Sequence, residues 1–270
     1  MKRSLRCVLG VLSLLVAAPL GAEAADTTSP ALIPPGSSWY NWTALYAGWN
    51  VGGGWGNTSS NGTDVSGSAT GTFGGSANSS GWLGGGQIGG TFEFADHWAV
   101  GVEADGDWAD ISGSSTGCST LTTGVTRACG TNSAKLTDFG TARGRFGYAF
   151  GNLLFYGTGG WAWGNSSGTH TTTCVSSSTA LCPGASTAFA GGAASFSNSL
   201  TGWAAGAGLE WGVLRNLTAR VEYLHVGFDN ISSAFSTTIT TGRGTTSVTT
   251  SVSSNSGFDL IRVGLDFQFR

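Results

Sequence analysis

Residues 98–110 read WAVGVEADGDWAD. On a β-strand successive side chains point to opposite faces, so Trp98, Val100, Val102, Ala104, Gly106 and Trp108 share one face and Glu103, Asp105 and Asp107 share the other. Three carboxylates in a row repel one another and need countercharge or water. The opposite face is apolar and carries tryptophan at both ends.

The rest of the chain narrows where such a strand can sit. Residues 1–24 have the pattern of an export signal: Lys2, Arg3 and Arg6 precede an apolar run over 8–20, and Ala22, Glu23 and Ala24 supply a small-residue cleavage site. That run is too short for a membrane-spanning helix, and no later stretch approaches the roughly 20 apolar residues such a helix needs. Loss of the signal leaves nine of the 12 basic and 14 of the 15 acidic residues, with Lys135 the one remaining lysine. No basic stripe is present for nucleic acid. Charged residues make up 10% of the chain, against about 25% in soluble domains, and glycine, at 46 of 270 residues, is far above its usual share of about 7%. A charged, water-facing coat is hard to build from this composition. Disorder is equally disfavoured, because 11 tryptophans and 14 phenylalanines are spread along the chain.

Eight segments alternate: 43–55, 82–94, the opening stretch, 136–150, 153–163, 200–211, 217–229 and 258–269. Leu224 and His225 blur the upper end of the seventh. Three connections, 95–97, 151–152 and 212–216, are short. The other four, roughly 56–81, 111–135, 164–199 and 230–257, are long and rich in Ser, Thr, Gly and Asn. Strict alternation of short and long connections is the pattern of a transmembrane barrel with short periplasmic turns and long external loops. The ten residues from Trp98 to Trp108 span about 33 Å along a strand, or about 25 Å along the membrane normal at a tilt near 40°, the height of the apolar band between aromatic girdles. Unsatisfied backbone groups in lipid cost several kcal/mol each, so the strands must close. The expectation is an all-β, eight-stranded antiparallel up-and-down barrel over 40–270, a flexible periplasmic lead over 25–39, and four long external loops.

This topology gives the acids a place. By parity Glu93, Glu103, Asp105, Asp107, Glu210, Glu222 and Asp266 point into the barrel, as do Arg143, Arg145, Arg220 and Arg262. Eight strands enclose an interior largely filled by side chains, which favours a plug of ion pairs over a solute pathway. The outward acids, Asp110, Asp138, Asp229 and Asp259, sit at strand ends where water is available. Cys118, Cys129, Cys174 and Cys182 form an even set suited to two disulfides outside the cytoplasm. Three pairings are open, and the local ones are Cys118 with Cys129 and Cys174 with Cys182. Their spacings do not suit zinc.

The sequence resembles the small alphaproteobacterial outer-membrane β-barrel proteins of the opacity and porin-like kind. The resemblance rests on WTALYAGWNVGGGWG (42–56), GGGQIGGTFEF (84–94), TARGRFGYAF (141–150) with LLFYGTGGWAWG (153–164), LTARVEYLHV (217–226) and the terminal IRVGLDFQFR. It covers 40–270 apart from the loops. It implies residence in the cell outer membrane among lipid and lipopolysaccharide, and assembly by the barrel-assembly machinery, which reads a terminal aromatic residue. Phe267 and Phe269 fit that signal, but Arg270 follows them.

Several motifs lack their context. Residues 84–89 fit GxGxxG but lie within a strand with no helix to receive a pyrophosphate. Residues 164–168 fit GxSxG at a strand-to-loop junction. His225, Glu222, Ser232 and Ser233 supply ingredients of a nucleophilic triad, but Glu222 points inward and His225 outward. His97 reads as a turn residue and His170 as a loop residue. No enzyme, cofactor or metal is expected. The favoured role is structural, with loops presented at the surface and open to a surface ligand. The alternatives are a narrow cation-preferring channel, motivated by the inward excess of acids, and an adhesin or receptor acting through the loops.

Overall fold

A computed structural model describes residues 40–66, 69–120, 127–174, 189–241 and 244–270. The expected signal, lead and Cys182 lie outside these residues. The strands are β1 (Ala44–Ser66), β2 (Ala69–Phe94), β3 (Trp98–Thr120), β4 (Arg127–Phe150), β5 (Leu153–Cys174), β6 (Phe189–Leu214), β7 (Leu217–Phe228), β8 (Ile231–Thr241) and β9 (Gly244–Phe269). Each strand from β1 to β7 pairs antiparallel with the next, β7 pairs with β9, and β9 returns to β1. The ring is therefore closed. β8 continues the path of β7 along the upper part of β9, after a break at Asp229 and Asn230. Nine strands thus make eight staves.

The long external connections differ from the loops expected. β1 and β2 remain paired from Ala44↔Thr91 up to Ser66↔Ala69, and β3 and β4 from Trp98↔Tyr148 up to Thr120↔Arg127. Strands of 22–26 residues reach about 75–85 Å, far more than a bilayer requires. The Ser- and Thr-rich stretches are upright β-hairpins. They carry no apolar alternation because above the membrane neither outer nor inner face meets lipid, so only the backbone ladder defines them.

Within the membrane span the alternation is plain. Leu45, Trp49, Val51, Ile88, Phe92, Val102, Phe146, Phe155 and Val221 are exposed on the outside of the ring, where lipid covers them. Trp55, Trp82, Trp108, Trp161 and Trp203 mark the outer edge of this belt. One irregularity reverses parity: the β4 ladder shifts between Leu136 and Asp138, leaving Thr137 as an extra residue. Above this bulge Leu136 turns inward and Lys135 outward, the reverse of a continuous strand.

The periplasmic turns are tight. Gly151, with φ 60°, and Asn152 join β4 to β5, and glycine takes the left-handed conformation there without a Cβ clash. Asn152 then donates its side-chain amide to Gly212 O at 3.0 Å and fixes the turn to β6. Asp96 and His97 also have positive φ, 57° and 70°, in the 3-10 turn Ala95–His97 between β2 and β3.

Candidate functional site: the filled interior and the outer cup

The barrel interior is layered. At the periplasmic end the chain before β1 folds across the opening. Trp42 is 1% exposed and donates Nε1–H to Gly151 O at 3.0 Å, while Tyr40 packs against it with ring centroids 4.7 Å apart. These two join Ala99, Ala149, Leu154 and Tyr156 in an apolar layer. Arg270, the residue beyond the terminal aromatic, lies over the Tyr40 ring at 4.7 Å and donates to Asn41 O at 2.5 Å. It ties the C-terminus to this strap. Phe267 and Phe269 face outward, their rings edge-on to each other at 5.2 Å.

Above this layer lie the inward charges. Arg143 bonds Glu103 at 2.5 Å, Asp105 at 2.9 Å and Glu222 at 3.0 Å. Arg262 bonds Asp105 at 2.9 Å, Asp107 at 3.0 Å and Glu222 at 2.8 Å. Arg145 pairs with Glu210 at 2.7 Å, and Arg220 with Glu103 and, at 3.5 Å, with Asp266. Their side chains are at most 3% exposed. The opening stretch therefore supplies three of the six carboxylates that meet four arginines from β4, β7 and β9. Register makes this local: Glu103 is directly opposite Arg143. Glu93 shares the inward parity but stands apart at the periplasmic rim, where it accepts from Trp42 N at 3.2 Å and meets His97 Nδ1 at 3.1 Å.

Uncharged residues complete the network. Tyr46 donates to Glu103 at 2.7 Å and accepts from Arg145 at 2.6 Å. Tyr156 donates to Glu222 at 3.0 Å beneath the Arg145 guanidinium, which sits 3.8 Å from its ring centre. Thr141, Thr218, Gln87 and Asn50 add further bonds. The sequence reading assigned none of these six to the network, although their inward parity was available as a signal. The rings need room, and glycine supplies it: a Cβ on Gly208 would lie 2.4 Å from Tyr156 Cζ and Oη.

A second apolar layer closes the interior above the charges, formed by Leu83, Ile111, Leu136, Phe139, Phe228 and Phe258 with their neighbours. Leu224 and Val226 belong to it, which explains why the seventh segment lost its alternation: apolar residues face inward there, and His225 faces out. The void among these side chains is about 10 Å³. That is about the size of one water, with an apolar lining that offers it no partners. Over this layer the hairpins surround a cup of about 130 Å³, with Ile111, Leu136, Leu200 and Phe258 at its floor and Ser115, Asn132, Asn198 and Ser254 among its wall residues.

Outside the ring, the strand-end acids are each satisfied. Asp110 meets Lys135 at 3.1 Å, Asp138 accepts from Asn165 at 2.7 Å, and Asp229 accepts from Thr201 at 3.1 Å. Asp259 accepts from Tyr223 at 2.6 Å and meets His225 Nδ1 at 2.8 Å. His225 is thus partnered by Asp259 and not by Glu222, which is buried on the other side of the wall. His170 lies on β5, within a hairpin rather than a loop, and its Nδ1 is 2.6 Å from Asn132 Oδ1. Cys118 and Cys129 are direct register partners across β3 and β4, and Cys174 stands opposite Ala128 on the next ladder. No group of three or more metal-ligating side chains occurs among the described residues.

A closed antiparallel ring with a lipid-facing apolar belt, aromatic girdles and internally paired charges defines an integral outer-membrane β-barrel. The chain belongs to the outer membrane protein beta-barrel domain family, whose pattern it matches over residues 12–257. It is 26% identical over 201 residues to the 31 kDa outer-membrane immunogenic protein of Brucella melitensis, an alignment that covers 70% of this chain and 67% of that one. Among solved structures it is similar to the outer membrane protease OmpT of Escherichia coli (TM-score 0.41, 9% identity, 86% and 99% of the two chains). It is also similar to OprG of Pseudomonas aeruginosa (0.37, 11%, 85% and 99%) and to the attachment invasion locus protein of Yersinia pestis (0.32, 13%, 82% and 98%). The protein resides in the cell outer membrane.

Proposed function

We propose that this barrel is a closed, non-catalytic anchor that holds four β-hairpins above the outer membrane for contact with the surroundings. The observation that carries the reading is the layered interior: an ion-pair network sealed below by the Tyr40 and Trp42 layer and above by the layer around Phe139 and Phe258. A hydrated cation crossing either layer would lose its water without gaining polar partners, and desolvating an ion without compensation is prohibitive. The two-charge excess of acids inside the barrel favours cations only where a path exists. The name of the Brucella relative, an immunogenic protein, accords with a surface-accessible outer half. The triad weighed from sequence, His225 with Glu222 and Ser232 or Ser233, gains no support, because His225 bonds Asp259 on the outer face while Glu222 is buried inside the barrel.

The test is single-channel recording in a planar bilayer with refolded mature protein whose folding is verified by its heat-dependent gel shift. Silence is expected from the parent protein. Stable cation-selective steps that weaken when Glu103, Asp105 and Asp107 are neutralised would replace this reading with that of a narrow pore.

A further inference from the structure

The outer cup is more apolar than a seal requires. Its floor is formed by Ile111, Leu136, Leu200 and Phe258, each at most 8% exposed. Above that floor two more large apolar side chains line it, Phe196 from β6 and Val252 from β9, in hairpins otherwise rich in serine, threonine, asparagine and glycine. Phe196 is directly opposite Gly168 on β5, and a Cβ on Gly168 would lie 2.5 Å from Phe196 Cζ. Glycine there makes room for the ring. Closing the barrel accounts for the floor but not for a phenylalanine held above it.

Hydroxyl groups border the same space. Ser60 Oγ donates to Gly75 O at 3.4 Å, Ser79 Oγ to Gly56 O at 3.5 Å and Ser166 Oγ to Asn198 O at 3.5 Å. An O–H···O bond is ordinarily about 2.5–3.0 Å long, so these three are weak and each hydroxyl can turn to a better partner. Among the described residues that line the cup Lys135 alone is charged, and its ammonium meets Asp110 at 3.1 Å on the outside of the ring. The cup's volume of about 130 Å³ is close to the roughly 150 Å³ of an apolar cavity that holds one benzene molecule.

We propose that the outer cup binds a small uncharged molecule made of one aromatic ring bearing a hydroxyl group. The ring stands on the apolar floor beside Phe196, displacing water that finds no partners there. The ligand hydroxyl meets the serine hydroxyls of the wall, which both donate and accept. An ionised ring would lose its water without meeting a countercharge, so the site selects the neutral molecule. The cup lies wholly above the charged layer, and the proposal stands whether or not the barrel conducts.

The experiment is a phenol titration of the full mature protein in lipid nanodiscs, followed by nuclear magnetic resonance of isotope-labelled isoleucine methyl groups. Isoleucine supplies an internal control: Ile111 is in the floor of the cup, whereas Ile88 and Ile261 face lipid at 64% and 42% exposure. The Ile111 signal shifts and saturates, while those of Ile88 and Ile261 report partition into lipid and do not saturate. Benzoate leaves Ile111 unmoved. Ser254→Trp, which fills the cup from β9, and Phe196→Ala, which removes the wall ring, each weaken binding about ten-fold or more. Ser112→Trp, on the outer face, leaves it unchanged, and the heat-dependent gel shift confirms that each variant folds. The proposal is overturned if Ile111 fails to saturate or moves only in step with Ile88 and Ile261. It is equally overturned if benzoate binds as phenol does, or if either folded cup variant binds phenol as the parent does.

Discussion

Replacing Arg262 with methionine keeps much of the side-chain volume and removes the guanidinium that bonds Asp105, Asp107 and Glu222 at 2.8–3.0 Å. Asp105 and Glu222 retain Arg143, but Asp107 loses its 3.0 Å ion pair in a site where the side chains of the pair are at most 1% exposed. Breaking a buried pair from one side costs about 3–5 kcal/mol, because the remaining charge is left uncompensated. At 1.4 kcal/mol per factor of ten, the folded-to-unfolded ratio falls by about a hundred- to a few thousand-fold. The assay is equilibrium urea unfolding in lipid vesicles, followed by tryptophan fluorescence from the 11 indoles and by the gel shift. Lys135→Met supplies the comparison: its pair with Asp110 is 3.1 Å long, but both side chains are nearly half exposed, so it costs about 0–1 kcal/mol. Adding Asp107→Asn to Arg262→Met should recover about 0.5–3 kcal/mol as a coupling between contacting residues. If Arg262→Met costs no more than Lys135→Met at unchanged slope, the network does not hold the barrel together and the reasoning fails.

Three further outcomes are expected. Val102→Arg, at an outward position 69% exposed midway between Trp98 and Trp108, should destabilise by about 2–4 kcal/mol in vesicles, whereas Ser112→Arg above the girdle should cost about 0–1 kcal/mol; equal costs would misplace the lipid belt. Trp42→Ala should cost about 3–5 kcal/mol through the cavity it leaves, and deleting Arg270 about 0.5–1 kcal/mol through the lost contact with Tyr40; urea midpoints unaffected by Trp42→Ala would remove the periplasmic layer from the account. Peptide mapping of protein secreted to an oxidising compartment should recover Cys118 joined to Cys129, because directly opposed strand residues have Cα atoms about 4.5–5.5 Å apart, within disulfide reach; Cys118 recovered with Cys174 or Cys182 would contradict the register.

How much of this was legible depends on what surrounds each segment. Between the girdles one face meets lipid and the other a crowded polar interior, so residues such as Val102 and Glu103 must alternate and the strand declares itself. Above the girdles both faces of a hairpin tolerate serine and threonine, and the extension of β1 through Asn57 and Thr58 to Ser66 left no pattern to read. The bulge at Thr137 was equally silent, since it reverses parity without changing composition.

The sequence by itself determined the eight staves, the lipid-facing belt and the inward parity of the charges, because period-2 alternation against lipid leaves few other solutions. The tertiary structure decided how those charges are shared. Arg262 reaches Asp107 across 155 positions of chain and Arg145 reaches Glu210 across 65, distances over which no local pattern carries information. It also decided that Tyr40, Trp42 and Arg270, far apart in the chain, meet in one layer, and that the β6 ladder ends at Gly202 opposite Phe228. Closure of the ring brings these residues together, and closure is a property of all the strands at once.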